Sequence, residues 1–399
     1  MTAPREPSAW AVAAALALAA AVSLGLARFS YALLLPPMRD DLGWSYLTAG
    51  AMNTVNAAGY LAGALLMQRW LHRHDARRLL LIGGGASGVL LAAHGLVTQE
   101  SVLFVLRFLT GVGSAMTFVA GGLMAAALSQ SSAQRSPPVS AGLVLGLYYG
   151  GTGLGIIVSS LLVPPLAEMS RPHAWQFAWL ALAATALLCL VAIARVTRRF
   201  TVAPIASAAR MPFRWMSLGY GLAAYLMFGL GYIGYMTFIV TLLREQGVPP
   251  ALIVGFYMLL GAGVIASSWL WAGLLQRARG GGALSLLNGL LALATLLPVL
   301  STHALVLTVS GALFGGVFLS VVASTTAMVR HNVPHSAWAA GISAFTIIFA
   351  VGQIVGPSLV GWLADGSGGL RSGLACSAAV LAFGALLASR QKPLAAAQP

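Results

Sequence analysis

The chain has 399 residues, 59% of them apolar and only 8% charged, with a formal net charge of +14 and a mean hydropathy of +0.88. Soluble domains carry about a quarter charged residues, so this composition excludes a soluble globular fold and points to membrane-spanning helices. The basic charge is spread over short connections rather than gathered into one patch, which argues against nucleic acid as a partner.

Twelve runs are long and apolar enough to cross about 30 Å of hydrocarbon. They cover roughly 9–35, 45–67, 79–97, 102–128, 139–163, 175–195, 216–242, 250–275, 282–300, 304–327, 338–363 and 373–389. The first is too long for a cleavable signal peptide. No connection exceeds about twenty residues, the longest being 196–215, which leaves no room for a soluble domain. Cys189 and Cys376 both sit inside apolar runs, where a small packing residue is expected rather than a disulfide framework.

Cation placement orients the chain. Sixteen of the 22 Lys and Arg fall on the side that holds both termini, four (Arg39, Arg171, Arg244, Arg371) fall on the other, and Arg28 and Arg107 stay inside spans. By the positive-inside rule both termini are expected to face the cytoplasm, and the excess charge attracts anionic lipid. The predominance of arginine among the cations and the richness in Ala and Gly suggest a bacterial chain, for which the expected location is the inner membrane.

A repeat appears at an offset of 204. Gly25-Leu-Ala-Arg28-Phe-Ser-Tyr31 aligns with Gly229-Leu-Gly-Tyr232-Ile-Gly-Tyr235, and Asp40-Asp41-Leu-Gly43 with Arg244-Glu245-Gln-Gly247. Ala58-Gly59-Tyr-Leu61-Ala62 falls on Ala262-Gly263-Val-Ile265-Ala266, and Gly111 on Gly315. The expected fold class is therefore all-α: a polytopic membrane protein of twelve helices in two parallel six-helix repeats. Residues 1–195 form the first bundle, 196–215 a cytoplasmic linker and 216–399 the second bundle.

With these features the chain resembles a major facilitator superfamily permease. Its opening stretch, Gly25-Leu-Ala-Arg28-Phe-Ser-Tyr31 and Leu35-Pro-Pro-Met-Arg39, resembles the bacterial YbfB/YjiJ-like group. Arg107-Phe-Leu-Thr-Gly111-Val-Gly113 matches the superfamily pattern R-x-x-x-G-x-G. The connection after span two keeps an arginine pair, Arg77-Arg78, but has no clear counterpart of the aspartate in G-x-L-x-D-R-x-G-R-R. Span five is glycine-rich without the Gly-Pro of the antiporter pattern, a pair found instead at Gly356-Pro357. The resemblance implies a secondary transporter working by alternating access.

The residues that could carry function begin with Arg28. A charge at membrane depth costs at least about 2.5–3.5 kcal/mol, so it faces a bundle interior or a cavity. Arg28 lies eight residues before Pro36, roughly 12 Å from the outer end; Arg107 is six residues past Ser101, roughly 9 Å deep. A guanidinium fork suits a carboxylate or phosphate; helix carbonyls or snorkelling would equally serve Arg107. Tyr31 shares a helix face with Arg28, and the repeat supplies Tyr232 and Tyr235. Tyr148, Tyr149 and Gln353 complete the candidate substrate-binding set, with helix packing as the alternative for each.

All eight acids (Glu6, Asp40, Asp41, Asp75, Glu100, Glu168, Glu245, Asp365) fall in tails, loops or span ends, so none is available inside a span to neutralise Arg28 or carry a proton. That favours a small organic anion as substrate over a cationic drug. Export of hydrophobic or aromatic compounds, and a non-transporting sensor on the same fold, are the alternatives. No catalytic constellation, cofactor fingerprint or metal-ligand spacing is present, so an enzyme is not expected, nor a cofactor or metal. The expected partners are a small-molecule substrate, a coupling proton or counter-anion, and lipid, with the chain acting as a monomer.

Overall fold

The computed structural model describes residues 8–133, 141–200, 202 and 213–394. Arg5, Arg135, Arg210 and much of the expected linker lie outside them. Among the described residues there are helices and no strands. The long helices are α1 (Ala9–Leu42), α2 (Tyr46–Trp70), α3 (Ala76–His94), α4 (Glu100–Ala133), α5 (Ala141–Ala167) and α6 (Trp175–Val196). They continue as α7 (Gly219–Glu245), α8 (Pro250–Leu270), α9 (Gly282–Leu300), α10 (Ala304–Asn332), α11 (Trp338–Ala364) and α12 (Gly369–Ser389). Eleven are long and apolar enough to cross a membrane. The remaining one, α2, has the length but carries Thr48, Asn53, Thr54 and Asn56 in its first three turns. Large apolar side chains such as Leu188, Val89, Leu300 and Trp362 are exposed on the helix surfaces, an arrangement suited to hydrocarbon and not to water.

Helix starts follow local chemistry. Ser8 accepts the Ala11 N–H at 3.2 Å to cap α1, and Asp75 accepts the Arg78 N–H at 3.1 Å to cap α3. Pro250 opens α8, where a missing N–H costs nothing. Gly43 and Gly247, paired by the repeat, both take a left-handed backbone (φ 66° and 72°). Each ends a helix by bringing the next residue's N–H onto a carbonyl five residues back: Trp44 to Arg39 and Val248 to Leu243, both at 3.0 Å.

By internal contacts the chain divides into two compact units. Unit 1 is Met1–Pro37 with Ala58–Ser207, and unit 2 is Met38–Ala57 with Ala208–Pro399. Unit 1 has a core of Leu16, Leu80, Met116, Met124, Leu128, Tyr148 and Ile193. The continuous helix α2 therefore serves two packing environments. Its first half lies on α7 and α11; its second half lies on α4, where Gly59 and Gly63 sit against the backbone carbonyls of Phe108 and Val112.

Helix α1 is not α-helical throughout. Between Ala9–Ala20 and Tyr31–Leu42 it widens into a π-helical segment, Ala21–Phe29, which ends as the Ser30 N–H reaches back to the Gly25 carbonyl at 3.0 Å. Side-chain donors at its carbonyls account for the widening. The Ser114 hydroxyl donates to Ser23, the Ser30 hydroxyl to Leu26 at 2.5 Å, and Arg107 Nη1 to Ala27 at 3.2 Å. Groups that take up ladder carbonyls loosen the i→i+4 pattern, and π segments cluster at functional positions. Close packing holds the segment in place: a Cβ at Gly25 would overlap the Gly155 backbone of α5.

Candidate functional site

The π segment delivers Arg28 into the interior of unit 1. The side chain is only 3% exposed, and its Nε and Nη2 have no hydrogen-bond partner. These two nitrogens share one edge of the guanidinium, the edge that meets both oxygens of a planar oxyanion side-on. The other neighbours are aromatic: the guanidinium lies 5.3 Å from the Tyr60 ring centroid and 5.9 Å from that of Phe29. Cation–π contact stabilises the charge in part and leaves that edge free.

Arg107 from α4 is also buried, but it is engaged differently. Besides its bond to the Ala27 carbonyl, its guanidinium lies 4.6 Å over Tyr31 and 5.9 Å from Trp179 of α6. His94, at the end of α3, stacks on the other ring system at 4.6 Å from Trp179. Its Nδ1 lies 2.7 Å from the Leu90 carbonyl; a carbonyl only accepts, so the proton sits on Nδ1. Unit 1 thus gathers Arg28, Tyr31 and Arg107 around one stretch of α1, with Arg107 lying over the Tyr31 ring.

Tyr148 is buried on α5 and donates its hydroxyl to the Phe118 carbonyl at 2.5 Å. Tyr149 is half-exposed beside it, with ring centroids 5.2 Å apart. In unit 2 the Gln353 amide donates to the Tyr232 hydroxyl. Tyr235 shares a hydrogen bond with Ser310 at 2.7 Å and stacks on Phe314. Tyr232 also belongs to an aromatic ladder: Tyr225, Phe228 and Tyr232 of α7 each stack on Phe349 of α11, at 4.9, 5.3 and 5.6 Å.

Two neighbours of the arginines escape sequence reading, Tyr60 and Trp179. Tyr60 follows the matched Ala58-Gly59 but aligns with Val264 at the offset of 204, so the repeat does not mark it. For Trp179 no local signal exists, because an apolar residue in an apolar span gives no sign of which helix it meets. Asp75 caps α3, and Arg77 donates to the Ala194 carbonyl at 2.8 Å and to Thr197 at 3.2 Å, so the arginine pair begins by closing α3 onto the end of α6. Among the described residues no three His, Cys, Asp or Glu side chains could hold a metal ion.

A family model described as "Uncharacterised MFS-type transporter YbfB" matches residues 20–389. No curated protein matches the sequence. Among solved structures, the nucleoside transporter NupG superposes with a TM-score of 0.72 at 14% identity, covering 96% of this chain and 100% of that one. A bacterial homologue of the human lysosomal transporter Spinster, in an inward-facing and unoccupied conformation, superposes at 0.69 with 13% identity, covering 96% and 97%.

Proposed function

Since the chain belongs to the YbfB-like family of major facilitator superfamily transporters, a family of multi-pass membrane proteins, we propose that it moves a small organic anion by alternating access. In this reading Arg28 is the residue that grips the anion. One observation carries it: a buried guanidinium whose Nε and Nη2 stand unpartnered on one edge, in spans that hold no carboxylate. Left alone, such a charge is costly, whereas a carboxylate meeting both N–H groups supplies the counter-charge and two charge-assisted hydrogen bonds. Tyr31 and Arg107 shape the wall around it. Tyr148, Tyr149, Tyr232, Tyr235 and Gln353 contribute as further substrate contacts. The bundles act as 1–195 and 216–399 joined by a cytoplasmic linker. The protein works as a monomer in the bacterial inner membrane with both termini inside, the orientation the cation distribution supports.

A second reading, export of a hydrophobic or aromatic compound, is favoured by the aromatic ladder of unit 2. One panel tests both. Purified protein is heated with benzoate, lactate, succinate, a sugar phosphate, a neutral aromatic and an aromatic cation. A carboxylate that binds the native state at 100 times its Kd adds about 2.7 kcal/mol of stability, and the gain disappears in Arg28→Ala. Equal stabilisation of Arg28→Ala and the parent overturns the anion site. Stabilisation by the neutral aromatic alone selects the second reading.

A further inference from the structure

The first turn of α2 is held by side chains from far along the chain. A helix N-terminus presents amide hydrogens without intrahelical acceptors and the positive end of the helix dipole. Asp365, which follows α11, takes two of them: the Tyr46 N–H donates to Oδ1 at 2.8 Å and the Leu47 N–H to Oδ2 at 2.9 Å. The Tyr46 hydroxyl donates to Glu245 at the end of α7. The Arg39 guanidinium lies 3.8 Å over the Tyr46 ring. A local cap is already present, because the Ser45 hydroxyl accepts the Thr48 N–H at 3.0 Å. A carboxylate arriving from 319 residues away is therefore not needed to start the helix. It ties α2 to α11.

Below this turn the contacts are small and close. Asn53 donates to Thr237 at 2.6 Å, and Thr54 donates to the Ile354 carbonyl at 2.7 Å. A Cβ on Gly50 would overlap the Pro357 carbonyl oxygen, and one on Gly361 that of Tyr46. The tie is made once in the repeat. The equivalent position in the second half is Pro250, the first residue of α8, which has no N–H to donate.

We propose that Asp365, Tyr46 and Glu245 form a releasable latch holding the first half of α2 on α7 and α11, and that the latch opens during the transport cycle. This rests on the alternating-access reading. Its parts suit release, since Asp365 and Glu245 are exposed and the interface beneath them is a close backbone approach at Gly50 and Gly361 crossed by the Asn53–Thr237 and Thr54–Ile354 hydrogen bonds.

The test needs no substrate. In a background carrying Cys189→Ser and Cys376→Ser, Ala49→Cys places a thiol at a fully buried position of α2. Its reaction with a charged maleimide is timed on protein in lipid nanodiscs. An intramolecular hydrogen bond contributes about 0.5–1.5 kcal/mol net, so adding Asp365→Ala raises the labelling rate roughly two- to twelvefold. Tyr46→Phe and Asp365→Asn give smaller increases and keep the test decisive where Asp365→Ala does not fold. Parental rates in Tyr46→Phe and Asp365→Asn overturn the latch. The labelling is measured without any organic anion, so a failed anion panel leaves this measurement intact. No labelling in any variant, with full reaction after denaturation, overturns alternating access itself.

Discussion

Replacing Arg28 by methionine should make the ligand-free protein more stable while removing anion binding. The charge costs at least about 2.5–3.5 kcal/mol at membrane depth, and in this structure Nε and Nη2 recover none of it through hydrogen bonds. Against that gain stand two losses. The cation–π contact with Tyr60 at 5.3 Å is worth about 1 kcal/mol. The space left by the guanidinium, lined by Tyr60 and Phe29, costs about another 1 kcal/mol. The net is about 1 kcal/mol in favour of the variant, an upward shift in Tm of roughly 1–3 °C for a chain of this size. Thermal unfolding in detergent, followed by the fluorescence of the ten tryptophans in the absence of any organic anion, reads this shift. The same preparation then fails to respond to the carboxylate that stabilises the parent. A variant that melts several degrees below the parent refutes the reasoning, because the guanidinium would then be part of what holds unit 1 together. Stability sacrificed at a binding group is a common trade in natural proteins.

The other predictions concern the scaffold around that residue. Gly25→Ala places a methyl group into the Gly155 backbone and should cost about 1–3 kcal/mol, seen as a lower Tm with less folded protein. Gly155→Ala does the same, and the double variant falls short of the sum because the two sites touch. Tyr148→Phe removes the 2.5 Å bond to Phe118 and should cost about 0.5–1.5 kcal/mol and weaken anion-induced stabilisation; stabilisation equal to the parent's would take Tyr148 out of the substrate-contact set. Arg77→Ala frees the end of α6 by deleting bonds to Ala194 and Thr197. It should lower Tm by about 1 kcal/mol equivalent while leaving the anion response unchanged.

How much of this was legible in the sequence follows from what hydropathy and charge can report. Among the described residues the twelve apolar runs appear as twelve long helices, eleven of them apolar enough to cross a membrane, because in a membrane each span must satisfy its own backbone and is therefore recognisable locally. The repeat at an offset of 204 also survives in geometry: Gly43 and Gly247 end their helices with the same left-handed turn. Arg28 stood out for the same local reason, as a cation where none should be. The absence of a carboxylate to meet it could be counted along the chain.

What only the tertiary structure decided depends on which helix faces which. Apolar composition is identical for an α and a π segment, so the widening at Ala21–Phe29 could not be read from α1; it arises from Ser114 and Arg107 on α4 and from the close approach of Gly155. The engagement of Arg107 by Ala27, Tyr31 and Trp179, the free edge of Arg28 above Tyr60, and the Asp365 carboxylate on the first turn of α2 are all contacts between helices distant in sequence. Hydrophobic burial, being non-directional, fixes that a helix is in the membrane and says nothing of its neighbours. Arg28 was thus marked by its own sequence as a charge out of place. The fold around it decided which of its hydrogen-bonding groups stand without a partner.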